Sequence, residues 1–163
     1  MRNPAAQSAA ADMTAVAPIV VAVPLRCPPD RAFIYFTRDI AKWWPLGRYS
    51  VGRDSAASVA FEERAGGRIF ETDRSGKETV WGHVSEWSPP GRLRFSWHPG
   101  QDESTAQWVE VTFVPTQTGT LATLTHGGWE ALGERAEATR ASYAGGWPTV
   151  MGVVFPAYAE QPH

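Results

Sequence analysis

The chain is poor in cysteine, in basic runs and in long apolar segments, and it carries no familiar catalytic motif; each absence closes a class of function. Cys27 is the only cysteine among 163 residues, which excludes an intramolecular disulfide and a thiolate metal cluster and suits a reducing cytoplasm. The formal charge is −2 and no stretch is strongly basic, so the electrostatic footprint of a nucleic-acid or anionic-membrane binder is missing. No apolar stretch approaches the length that spans a bilayer. Near the start, Asp12 and Pro18 interrupt the apolar core that a signal peptide needs. A zinc-protease helix, a nucleophile elbow, a phosphate-cradling glycine loop and a dinucleotide fingerprint are all absent. The expectation is a cytoplasmic protein with no cofactor and no metal site, and with neither nucleic acid nor membrane as partner.

What the chain does have is tryptophan, eight in one small domain, within a composition that is 43% hydrophobic. That is enough to bury a substantial core. The Ala-rich residues 1–15 read as a disordered leader, and 16–163 as a single domain. Residues 18–25, PIVVAVPL, are β-branched and bounded by prolines, the mark of a strand. CPPDRAFIYFTR follows with prolines suited to a first helical turn, Asp30 at the positive end of the dipole, and Ala32, Phe33, Phe36 and Ile40 at helical spacing. Asp39 is placed to cap a second short helix, DIAKWW, which Pro45 stops.

From residue 57 onward the signals are alternation and tight turns. AGG at 65–67, RSGK, SPPG and TQTG separate six strands near 57–63, 67–73, 78–87, 91–98, 106–115 and 119–126. In GRLRFSW the apolar Leu93, Phe95 and Trp97 alternate with Arg92, Arg94 and Ser96, giving a dry face and a wet one. Last, Tyr143, Trp147, Val150, Met151, Val154 and Tyr158 fall at helical spacing. They define a long C-terminal helix that Gly145, Gly146 and Pro148 are expected to kink.

This order, together with AGGRIFE, WGHVSEWSPPGRLRFSW, GTLATLTHGGW and YAGGW, resembles the START-like helix-grip (SRPBCC) domains. It resembles in particular the bacterial branch named after the ATPase activator of the ninety-kilodalton heat-shock protein. The likeness covers about residues 18–160. It implies an α+β helix-grip fold of order β-α-α-β6-α, in which a curved antiparallel sheet wraps the C-terminal helix with an apolar cavity between. It also implies a small hydrophobic or aromatic molecule as ligand. A homodimer is an open option, and a chaperone-associated interaction module rests on the family name alone. Fold by itself does not supply function.

Adjacent Trp43 and Trp44 cannot share a helical or strand face, so one ring is expected to pack inward and the other to cover the cavity rim. The expected ligand-binding set is Trp43, Trp44, Phe70, Trp81, His83, Phe95, Trp97, His126, Trp147 and Met151, with Trp97, Trp147 and Met151 as walls and His83 or His126 as a polar contact. Trp129 is expected to be exposed. As an alternative, a hydrolase, cyclase or dehydratase would draw on His83, His98, His126, Glu63, Glu71, Asp73 or Cys27, none of which sits in a catalytic motif. His83 and Glu86, three apart on a strand, face opposite ways. Cys27 at a helix start is either activated by the dipole or a packing residue. His98 with Asp102 and Glu103 reads as a solvated loop cluster.

Overall fold

The computed structural model describes residues 16–163, so the leader expected at 1–15 lies outside the described residues. Strand β1 (Ile19–Leu25) leads into helix α1 (Pro29–Thr37), whose buried face is Ala32, Phe33 and Phe36, and then into the one-turn helix α2 (Ile40–Trp43). Six strands follow: β2 (Ala56–Phe61), β3 (Arg68–Asp73), β4 (Glu78–Ser88), β5 (Arg92–Trp97), β6 (Gln107–Thr116) and β7 (Gly119–Gly127). Each agrees with its sequence-based position to within one or two residues. The seven strands form a single antiparallel sheet in the order β1-β7-β6-β5-β4-β3-β2, curled into a half-barrel around the C-terminal helix. The AGG stretch is the β2–β3 connection, with Gly66 at φ 81°.

The C-terminal helix departs from a simple kinked rod. A 3-10 segment (Trp129–Arg135) leads into α3 (Ala136–Thr149), a π turn spans Val150–Val154, and α4 (Phe155–Ala159) completes it. Pro148 and Pro156 each remove an N–H from the ladder. Between them the bonding widens, and the Phe155 N–H reaches the Val150 carbonyl. The expected disruption is therefore a widened turn just beyond Trp147. A second difference concerns Asp39: it holds the N-cap position of α2 but makes no side-chain cap bond. Its carboxylate instead accepts the Tyr158 hydroxyl at 2.8 Å, tying α2 to α4. No helix among the described residues is long and apolar enough to cross a membrane.

Candidate functional site

The tandem tryptophan divides the interior. Trp43 ends α2 in helical conformation, whereas Trp44, followed by Pro45, turns extended (φ −64°, ψ 127°). The two rings consequently go to different neighbours. Trp43 packs on Phe36 and Phe155 (centroids 5.6 and 4.9 Å) and donates its indole N–H to the Tyr35 carbonyl. Trp44 lies against Trp81, Trp147 and Trp97 at 5.3, 5.9 and 6.2 Å and donates to the Tyr49 carbonyl.

Trp81 reaches that cluster through a β-bulge. The β3–β4 register passes from Phe70 opposite Val80 to Ile69 opposite Gly82, leaving Trp81 as the extra residue. At Gly82 the β4 backbone runs so close to β5 that a Cβ would collide with the Ser96 carbonyl. Trp81 is fixed by a hydrogen bond from its indole N–H to buried Glu71, at 2.7 Å. The same carboxyl accepts the backbone N–H of Val51 (2.6 Å) and of Gly52 (3.0 Å). Glu71 thereby ties the loop after Pro45 to the tryptophan it covers.

Between that loop, the β4–β5 end and α3 lies an open cleft of about 410 Å³. Its floor is Trp44, Trp81, Trp97 and Trp147, and its rim carries Arg48, Tyr49, Arg53, Gln101, Ser142 and Tyr143. Arg48 and Arg53 make no ion pair among the described residues. Arg53 also sits at φ 53°, a left-handed conformation costly for a side chain with a Cβ; its guanidinium donates to the Arg48 carbonyl at 3.0 Å. Tyr143 accepts the Trp97 indole N–H at 3.0 Å, and burial raises its phenol pKa.

His126 stands behind this floor. It is fully buried, packed against Trp129 with the rings tilted by 31° (centroids 4.1 Å), and its Nδ1 accepts the Trp147 indole N–H at 2.9 Å. Since Nδ1 is an acceptor, the proton resides on Nε2, which donates to Gln107 at 3.2 Å. Burial pushes the imidazole pKa down to about 3. It is a neutral strut for Trp147, with no free nitrogen to act as a base.

Of the ten residues proposed from sequence, Trp44, Trp81, Trp97 and Trp147 line the cleft. Trp43, Phe95 and Met151 are buried in the core beside it, and His126 lies behind Trp147. Phe70 and His83 sit on the opposite face of the sheet. Phe70 lies under the Arg68 guanidinium at 4.2 Å, and His83, paired with Arg68 across the strands, is half-exposed.

Two surface expectations are corrected. Trp129, expected outside, is completely buried against His126, and His98, expected in a solvated loop cluster, is only 4% exposed. Neither of the remaining carboxylates proposed for catalysis enters the cleft: Glu63 pairs with Arg38 on the surface, and Asp73 accepts the Ser75 and Lys77 N–H groups of its own turn. Cys27 is not activated, since burial raises its thiol pKa. The rim arginines were missed, since only their proximity in the fold reveals them, and Glu71, a catalytic candidate in the sequence, is instead a buried anchor for the loop and Trp81.

Comparison with known proteins places this arrangement. The family model described as Activator of Hsp90 ATPase homolog 1-like protein matches residues 26–159. The chain belongs to that family. Among solved structures it is similar to MLL2253 of Mesorhizobium loti, at 17% identity and TM-score 0.65, covering 90% of this chain and 99% of that one. It is similar to the anthrahydroquino-γ-pyrone synthase Txn09, at 30% identity and TM-score 0.61, covering 88% of this chain and 97% of that one. DynU16, a protein of the dynemicin biosynthetic locus, matches at 18% identity and TM-score 0.63, over 90% of this chain and 48% of its own length. No curated protein matches by sequence at a significant level. Family membership establishes the helix-grip fold, a framework suited to hydrophobic ligands.

Proposed function

We propose that this family member binds a planar aromatic molecule carrying an anionic edge, with the rings on the tryptophan floor and the anion at Arg48 and Arg53. The observation that carries the reading is the joining of the two features in one cleft: four packed indoles beneath two arginines that no carboxylate among the described residues neutralises. Indole faces offer large apolar area and favourable stacking, and a guanidinium offers a paired donor fork to a carboxylate or phenolate. The volume, about 410 Å³, falls in the range of small-molecule sites. The 30% identity to a synthase of a polycyclic γ-pyrone supports aromatic polyketides as the class to try first.

The same likeness favours a second reading, an enzyme that folds or closes such a substrate. Among the described residues no histidine or carboxylate lines the cleft, so a reaction there would rest on holding a reactive conformer rather than on a strong general base. Titration of intrinsic tryptophan fluorescence with hydroxylated anthraquinones, with and without a carboxylate, tests the binding reading. Quenching with micromolar affinity and a preference for the anionic compounds is expected. Absence of quenching by every compound at solubility-limited concentration contradicts it. Incubation with a ring-open analogue, followed by mass spectrometry, separates binding from conversion.

A further inference from the structure

On the convex face of the sheet, behind Trp81, three side chains from separate segments converge: His83 of β4, His98 just beyond β5, and Glu103 in the 3-10 turn Glu103–Thr105. Their ligand atoms all lie within 4.8 Å of one another. We infer that they form a binding site for a borderline divalent metal ion of the zinc, nickel or cobalt class, with an open coordination position toward solvent. This site lies on the other side of the sheet from the aromatic cleft, and Gln101 borders both.

His98 provides the strongest argument. It is 4% exposed, and its Nε2 is buried without any hydrogen-bond partner among the described residues, an uncompensated cost in an ordinary core. Its Nδ1 lies 3.1 Å from the Gln101 carbonyl. A carbonyl can only accept, so Nδ1 carries the proton and Nε2 presents a bare lone pair. A backbone carbonyl on one imidazole nitrogen and a free lone pair on the other is the arrangement that orients metal-ligating histidines.

The surrounding loop is held in place. The His98 N–H donates to the Trp81 carbonyl and the Gln101 N–H to the His98 carbonyl. Asp102 is occupied in accepting the Ser104 N–H, which leaves Glu103 as the carboxylate directed at the histidines; its Oε1 is 3.9 Å from His83 Nδ1. A tetrahedral zinc with bonds near 2.0–2.1 Å sets its ligand atoms about 3.4 Å apart, so the cluster must close by roughly an ångström. Glu103 at the surface and half-exposed His83 can swing to do so, while His98 stays fixed. Two imidazoles and one carboxylate select against calcium and magnesium, which prefer all-oxygen shells.

The test uses untagged full-length protein stripped by chelator and titrated calorimetrically with zinc, nickel and magnesium chlorides. One zinc per chain with micromolar or tighter affinity is expected, with no magnesium binding. His83→Ala and Glu103→Ala, both at the surface, should each weaken zinc by at least about tenfold. His98→Ala should abolish binding, with circular dichroism confirming its fold. His163→Ala and Cys27→Ser should leave zinc affinity unchanged. Cobalt should add the visible absorption of a tetrahedral N/O site, lost in His83→Ala. The inference is overturned if wild type takes up no zinc at millimolar concentration. It is equally overturned if zinc binding survives both His83→Ala and Glu103→Ala.

Discussion

At the α4 end of the grip, Phe36, Trp43, Phe61, Phe113 and Phe155 interlock at ring separations of 4.9–6.1 Å and fill the space between helix and sheet. At the α3 end, Trp44, Trp81, Trp97 and Trp147 pack at similar distances, 5.3–6.2 Å, yet stop short of closure and leave a cleft. Residue type and spacing therefore do not distinguish a core from a pocket. What differs is the cover. The filled end is sealed by apolar residues of α1 and α4. The open end is roofed by an irregular loop pinned through one buried carboxyl and bordered by arginines. Gly146 contributes as well: the Tyr49 ring lies 3.3 Å from where a Cβ would stand, so a larger residue would push the roof away. Trp43 and Trp44 straddle the boundary between the two regimes.

The largest effect is expected at the filled end. Phe155→Ala should destabilise the protein by about 3–5 kcal/mol in urea unfolding, because a rigid aromatic cluster cannot collapse into the void. The folded fraction should keep its ligand affinity. Glu71→Ala should cost roughly 2–4 kcal/mol, since three N–H donors lose their acceptor. Unlike Phe155→Ala it should also weaken ligand binding, which fluorescence titration measures, because the roof and Trp81 are released together.

Acid should act through His126. Its folded pKa of about 3 lies below the ordinary 6.5, so the unfolded chain binds the extra proton, and this contribution is intact above pH 6.5 and lost as pH falls toward 3. Near pH 4.5 the loss should be about 2–3 kcal/mol. The stability–pH profile of His126→Gln should lack that slope. The smallest expected effect is at the rim. Arg53→Gly relieves a left-handed backbone and should stabilise by up to about 1 kcal/mol. It should also weaken anionic ligands several-fold and leave neutral ones unaffected.

Much of this was legible in the sequence, for physical reasons that differ by element. The strands were readable because alternation such as Leu93-Arg94-Phe95-Ser96-Trp97 reports directly on a two-sided sheet. The divergence of Trp43 and Trp44 was readable from their adjacency, because neighbouring residues share neither a helical nor a strand face, and Pro45 ends the helix that carries them. Trp129 was not readable: Gly127, Gly128 and a 3-10 segment gave no periodicity from which to infer a face, and its burial depends on His126 across the fold. Nor was the side taken by His83: a two-residue count puts it on the face of Trp81, but a bulge at 81–82 inverts that count, leaving Trp81 inward and His83 outward. Arg48 and Arg53 lie in a loop whose position is set by Glu71, a long-range bond that no local pattern encodes.

In the proposed function a ligand sits at the open end and not at the filled end. The eight tryptophans give separate indole N–H signals in a nitrogen–proton correlation spectrum, and a titration with a carboxylated anthraquinone reads all of them at once. Saturable shifts are expected at Trp44, Trp81, Trp97 and Trp147, with Trp43, Trp87 and Trp108 unmoved. Shifts centred on Trp43, or no shift at any indole with the ligand in millimolar excess, would contradict that placement.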